Sequence, residues 1–202
     1  MKILVTGGAG YIGSHTIKNL LKQDFDIIGL DNLSSGFIEP IEIIKKKFGS
    51  SAGEFEFIRG DLSNKELLKE IFQKNQIDAV IHLAAKIDAA ESVQKPELYH
   101  QENYINSINL VEAMTLAGVN KLVFSSTAAV YGDPEYTPID ENHPTRPTNP
   151  YGQTKLDFEK YLAKVENLKY ITFRYFNVGG SEPAGLLGKS HLQSQDLIEK
   201  YF

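Results

Sequence analysis

The sequence predicts a doubly wound α/β protein, in which a parallel sheet is flanked by helices. Short β-branched or apolar runs recur at intervals that leave room for a helix: ILVT from Ile3, DIIGL from Asp26, FEFI from Phe55, DAVIHL from Asp78, KLVFSS from Lys121 and YITFRY from Tyr170. Several of these runs are apolar throughout rather than alternating, which predicts strands covered on both faces. A glycine cluster, TGGAGYIGSH, follows the first run directly and opens a helix.

That cluster holds Gly7, Gly10 and Gly13 at equal spacing, while Gly8, Gly10 and Gly13 satisfy G-x-G-x-x-G; either register supplies a tight turn. Glycine permits positive φ and lets the main chain approach a pyrophosphate, whose charge is met by N–H groups at the helix N-terminus. Gly13 lets that helix pack closely on the sheet. This is the pattern of a Rossmann dinucleotide site, although a glycine triplet alone also reads as a simple turn. At the end of the second run stands Asp31, eighteen residues beyond Gly13. A carboxylate there can accept hydrogen bonds from an adenosine ribose and repels a 2′-phosphate, and no arginine stands beside it, so NAD is expected rather than NADP. The plain alternative is a turn residue before Asn32.

Asp61 follows the third run, and Ala84 and Ala85 the fourth, where parallel strands deliver ligand contacts; helix capping and tight packing explain them equally well. Ser63 and Glu66 give a capping-box pattern before LLKEIF, and Gly118 closes a long helix that begins near Pro96. The fifth run ends in FSSTAAVYG, with Thr127 at its carboxyl end. From Gly132 to Pro150 five prolines predict a long surface loop before a helix at Tyr151. On that helix Tyr151 and Lys155 are four apart and share a face. A nearby ammonium and a cationic nicotinamide both favour a tyrosine phenolate, so Lys155 can activate Tyr151 as a base and also reach a cofactor ribose, with Thr127 holding the substrate hydroxyl. The same pair is common on ordinary helices; its place over the ligand crevice is what singles it out.

Composition narrows the classes. The 202 residues carry a net charge of −5, and the longest basic run, Lys45, Lys46 and Lys47, reads as a solvated helix face, so nucleic acid is not an expected partner. The absence of cysteine excludes disulfides and thiolate chemistry and fits a reducing cytoplasm. The start shows no secretory segment, and the longest central apolar stretch, Ala79 to Ala85, is too short to span a bilayer, so a soluble protein is expected. The five histidines, His15, His82, His100, His143 and His191, lack metal-ligand spacing. No metal is expected, and His82 reads as a strand-end packing residue.

The motifs TGGAGYIGSH, DNLSSG, GDL, HLAA, ESVQKP, SSTAAVYG, YGQTK and RYFN stand in this order from Met1 to about Asn177. In that order they resemble the UDP-galactose 4-epimerase family of the extended short-chain dehydrogenase/reductase superfamily. The resemblance implies that Tyr11 and Ile12 line the pyrophosphate turn, that Asp31, Asn32, Leu33, Ser34, Ser35 and Gly36 bind adenosine, and that Asp61 and Leu62 flank adenine. Leu83, Ala84, Ala85, Lys86, Ile87 and Asn103 are implied to approach the cofactor, Phe176 to contact cofactor or substrate, and Asn177 the substrate. Thr127, Tyr151 and Lys155 take the places of the catalytic triad. The implied reaction is NAD-dependent inversion of a nucleotide sugar at carbon four through a 4-keto intermediate.

Related 4,6-dehydratases carry an Asp-Glu pair after the strand-five threonine, where this sequence has Ala128 and Ala129; epimerisation is the better match, with other nucleotide sugars left open. The implied organisation is a dinucleotide-binding and catalytic domain over residues 1–177 and the start of a truncated substrate-binding region over 178–202, most of the small domain being absent. A dinucleotide-binding remnant without turnover is the second reading. The resemblance also implies a homodimer through helices from Pro96 to Gly118 and from Tyr151 to about Val165.

Overall fold

The apolar runs form six strands, β1 (Lys2–Thr6), β2 (Asp26–Asp31), β3 (Phe55–Arg59), β4 (Ala79–His82), β5 (Lys121–Thr127) and β6 (Lys169–Tyr175), in a computed structural model that describes residues 1–48, 53–182 and 185–188. All are parallel, in the order β3-β2-β1-β4-β5-β6. The direction of winding reverses between β1 and β4, and open sheets of this kind bind ligands in the crevice above that point.

Among the described residues seven α-helices lie between the strands: α1 (Tyr11–Leu21), α2 (Glu39–Phe48), α3 (Lys65–Lys74), α4 (Ala89–Gln94), α5 (Pro96–Tyr99), α6 (Asn106–Leu116) and α7 (Pro150–Leu162). Side chains alternate across each strand. One set, Leu4, Ile28, Leu30, Val80, Leu122 and Phe124, packs with Leu68 of α3, Leu110 and Met114 of α6 and Phe158 of α7. The other set, Ile3, Val5 and Ile27, packs with Ile17 and Leu21 of α1 and Ile41 and Ile44 of α2. Each fully buried aliphatic side chain stabilises this arrangement by roughly 1.5–3 kcal/mol.

Three local expectations are corrected. The cap of α3 is Asn64, whose Oδ1 accepts the Leu67 N–H at 3.0 Å; Ser63 lies one residue too early, and the Asp61 carboxylate takes its N–H instead. The long helix from Pro96 does end at Gly118, but it is not uniformly α-helical: α5 passes through a π-helical turn, His100–Ile105, before α6. Finally, among the described residues β6 is covered on one face only. Arg174 points to α7, whereas Ile171 and Phe173, on the opposite face of this edge strand, are 57% and 47% exposed. Among the described residues no helix is long and apolar enough to cross a membrane.

Candidate active site

The turn after β1 fixes which glycines matter. Gly7 has φ +71°, and a Cβ there would lie 2.6 Å from Ala84 N; one on Gly13 would lie 2.0 Å from Gly7 O. The first of the two glycine registers is therefore the operative one: Gly7 lets the turn press against the end of β4, and Gly13 lets α1 press against the turn. Gly10 precedes α1 with no side-chain cap, and its carbonyl takes the Ser14 N–H at 2.9 Å. The N–H groups of Tyr11, Ile12 and Gly13 precede that first intrahelical bond and so point out of the helix end, where an anion is stabilised.

Asp31 closes the opposite side of the turn. Its Oδ2 accepts the Ala9 N–H at 3.0 Å and its Oδ1 the Leu33 N–H at 2.8 Å. Burial pushes its carboxyl pKa up, and those two bonds act against it. A carboxylate accepts about four hydrogen bonds, so both oxygens retain capacity for ribose hydroxyls. Leu33 is held at φ +61°, an uncommon conformation for a branched side chain. Asn32 donates to Asp61 Oδ2 at 2.5 Å and accepts the Ser34 N–H at 2.9 Å, joining the loops after β2 and β3. Burial raises the Asp61 pKa, but the bonds from Ser63 and Asn32 outweigh it and leave the carboxyl below its ordinary range. Leu62 is a core residue, and Ser35 and Gly36 complete the loop, Gly36 in close approach to Ala9. A cradle of small residues and free helix-end N–H groups, beside a carboxylate, fits a dinucleotide.

The loop after β4 carries Leu83, Ala84, Ala85, Lys86 and Ile87. Asn103, only 1% exposed, accepts the Lys86 N–H at 2.8 Å and donates to Lys86 O at 2.9 Å and to Thr154 Oγ1 at 3.4 Å. Its amide is thus engaged in holding the loop. Phe176 and Asn177 follow β6 and are exposed, and Ile87 is 62% exposed. The chain after β6 is tied back to α1, because Tyr11 Oη donates to Gly180 O at 2.5 Å and Lys18 pairs with Glu182 at 3.2 Å.

Thr127 and Tyr151 meet between β5 and α7, and Lys155 lies one turn further along α7. Thr127 ends β5, with its Oγ1 accepting the Ala129 N–H at 3.2 Å. The start of α7 is fixed twice: Asn149 accepts the Gly152 N–H at 2.8 Å, and Ser92 of α4 accepts the Tyr151 N–H at 3.1 Å. Tyr99 presents its ring edge-on to Tyr151, with centroids 6.5 Å apart. Burial pushes the Tyr151 phenol above its ordinary pKa, while the adjacent Thr127 hydroxyl acts downward. Lys155 is turned elsewhere: its Nζ donates to Ser125 O at 2.9 Å and sits 4.9 Å from the Phe124 ring centroid. In this arrangement the groups that shift the Tyr151 phenol are its burial and Thr127, and Lys155 Nζ is directed to Ser125 O.

Burial holds Lys155 down to about 7, with Glu159 acting upward. Between that value and the unfolded lysine value of about 10.5 the unfolded chain binds more protons, so folding stability rises with pH across this window. Wild type should therefore gain melting temperature relative to Lys155→Met between pH 7 and pH 9.5 and show no such trend below pH 6; parallel profiles throughout would place the amine in contact with water.

Several participants were not visible in the motifs. Glu159 accepts from Ser126 Oγ at 2.5 Å and from Arg174 Nε and Nη2 at 3.1 and 2.6 Å, and Arg174 lies over the Tyr131 ring. This pins α7 to the ends of β5 and β6. Its spacing of four from Lys155 was the available signal.

The NAD dependent epimerase/dehydratase family matches residues 3–196. The UDP-glucose 4-epimerase of Halalkalibacterium halodurans is 44% identical over 201 residues, covering 98% of this chain and 57% of that protein. The UDP-glucose 4-epimerase of Bifidobacterium longum, solved in complex with NAD+ and UDP, superposes with a TM-score of 0.89 at 37% identity, covering 94% of this chain and 57% of that one. The enzyme from Stenotrophomonas maltophila, solved with bound NAD and formylated UDP-arabinopyranose, gives 0.92 at 37% identity, covering 98% and 60%. This chain thus spans a little over half the length of the relatives it matches. A match running through all six strands, on a fold that superposes this closely, shows that the chain belongs to the NAD dependent epimerase/dehydratase family.

Proposed function

We propose that this chain carries the cofactor-binding and catalytic half of a nucleotide-sugar 4-epimerase that interconverts UDP-galactose and UDP-glucose. The observation that carries the reading is the meeting of Thr127 and Tyr151, with Lys155 on the same helix face, at the carboxyl end of β5 in the sheet whose β1–β4 junction forms the glycine cradle. The N–H groups of Tyr11, Ile12 and Gly13 would hold the pyrophosphate of NAD, and Asp31 its adenosine ribose. NAD, when bound, supplies the hydride acceptor, and on return the donor, that carbon four requires. Tyr151 Oη removes the proton of the sugar's 4-hydroxyl and later restores it, and Thr127 Oγ1 orients that hydroxyl. A 4-keto sugar that turns over between the two proton transfers emerges inverted at carbon four. Phe176 and Asn177 would face the sugar nucleotide, and the exposed surface of α6 and α7 around Leu116 and Tyr161 would join two copies as a homodimer. A cytoplasmic setting belongs to the same reading.

Incubation with UDP-galactose, product separation and a measurement of co-purifying NAD test this reading. Appearance of UDP-glucose is the expected result. Bound NAD without conversion would instead favour the second reading, a dinucleotide-binding remnant; absence of both would overturn both. We also expect NAD to bind at least about tenfold more tightly than NADP, because the Asp31 carboxylate would face the extra phosphate of NADP. Asp31→Asn, which removes the charge and keeps an acceptor, should bring the two affinities toward parity in parallel titrations.

A further inference from the structure

We infer that His82 is a positioning residue for the dinucleotide site, gripping the loop after β4 at both ends through a one-directional chain of buried hydrogen bonds. The inference rests on the dinucleotide reading above.

Thr6, His82, Asn103 and Ser107 are each at most 1% exposed. His82 Nδ1 lies 2.7 Å from Thr6 Oγ1, and its Nε2 lies 2.8 Å from Ser107 Oγ. Ser107 has one hydroxyl proton, and it is donated to Asn103 O at 2.7 Å. The His82 Nε2–H must therefore donate to Ser107, which leaves Nδ1 to accept the Thr6 hydroxyl proton. Thr6 Oγ1 in turn accepts the Ala84 N–H at 3.4 Å.

The chain thus runs from Ala84 N through Thr6, His82 and Ser107 to Asn103, and Asn103 closes it by bonding both backbone groups of Lys86. Thr6 immediately precedes Gly7, whose α-carbon hydrogen faces Ala84 N across the tight approach already described. Glycine turn and loop are therefore held by the same ring of bonds. A neutral imidazole is required, since it alone both donates and accepts. Burial, and secondarily the charge of Lys155, hold the ring's pKa down to about 3. Phe124 and Phe158 flank the ring at centroid distances of 5.7 and 5.8 Å, so a phenylalanine would fill the space of His82 but leave Thr6 and Ser107 without their partner.

Thr6→Val removes the bonds of Thr6 Oγ1 to His82 and Ala84, and Ser107→Ala those of Ser107 Oγ to His82 and Asn103, while each leaves the histidine in its packing. In the wild-type chain, ring nitrogen shifts from nuclear magnetic resonance should show the Nε2–H tautomer. Each variant should speed amide exchange at Ala84 and Lys86 and weaken NAD binding about tenfold, the order expected when a buried hydrogen-bonding group is left without its partner. An Nδ1–H tautomer would overturn the inference, as would variants that lose melting temperature but keep both amide protection and NAD affinity within twofold. Failure of the wild-type chain to bind NAD would remove the dinucleotide reading and the inference with it, whereas equal binding by wild type and variants removes the inference alone.

Discussion

Tyr151→Phe should lower turnover of UDP-galactose by about 10²–10⁴-fold, the span general acid–base catalysis contributes, and leave NAD affinity within about twofold. The substitution removes one atom from a well-defined place. The ring keeps its edge-on packing against Tyr99, and the backbone N–H that Ser92 accepts is untouched, so α7 begins where it did. Stability should fall by about 1 kcal/mol, because the buried Thr127 hydroxyl loses its neighbour while the ring packing is kept. On the proposed function, the step that depends on that oxygen is the proton transfer at the 4-hydroxyl. Burial already makes the phenol a weaker acid than free tyrosine, and Lys155 is bound to Ser125 O. On the proposed reading, a bound cationic nicotinamide would favour ionisation of Tyr151. Product formation at the wild-type rate would remove the phenol from the mechanism, while loss of turnover together with loss of NAD would make Tyr151 a cofactor contact instead.

The parts of the site that the sequence displayed are those built from neighbours along the chain. Gly7, Gly10 and Gly13 sit in one turn, and Tyr151 and Lys155 on one helical face, so local geometry alone brings them together. The two possible glycine registers were separated only by the contact of Gly7 with Ala84, a residue from the loop after β4, far along the chain. The same limit hid the His82 chain, whose partners are separated by 76 and 25 positions, and the support of Tyr151 by Ser92, 59 positions earlier. Asn103 was associated with the cofactor by resemblance, but its hydrogen bonds to Lys86 depend on a π-helical turn that no periodicity announces. The Asn64 cap was missed for a local reason: Ser63 and Asn64 are both good caps, and the preceding Asp61 turn decides which is in register.

Gly13→Ala should cost about 3 kcal/mol or more of folding stability, at or beyond the upper end of ordinary overpacking, and abolish NAD binding at concentrations that saturate the wild type. Elementary helix propensity predicts the opposite sign, since alanine is favoured over glycine in a helix by about 1 kcal/mol. Position reverses it. The added Cβ would stand 2.0 Å from Gly7 O, 2.8 Å from Gly7 C and 2.9 Å from Gly8 Cα, all backbone atoms that cannot rotate away. Relief requires α1 to retreat from the turn, yet the inner face of that helix is Ile17 and Leu21, both fully buried against the sheet. It also requires the turn to shift, and Gly7 is itself pressed on Ala84. Either movement displaces the N–H groups of Tyr11 and Ile12 that the pyrophosphate would meet. Gly118→Ala is the informative control, because Gly118 has φ +74° with nothing within 4 Å of its added Cβ. That change should cost only about 1 kcal/mol from backbone strain and leave NAD affinity intact. Denaturant melts and NAD titrations of both variants separate the two effects. Similar small losses in both would mean that the turn can open at little cost, and that the close approach of α1 to β1 is not what shapes the dinucleotide site.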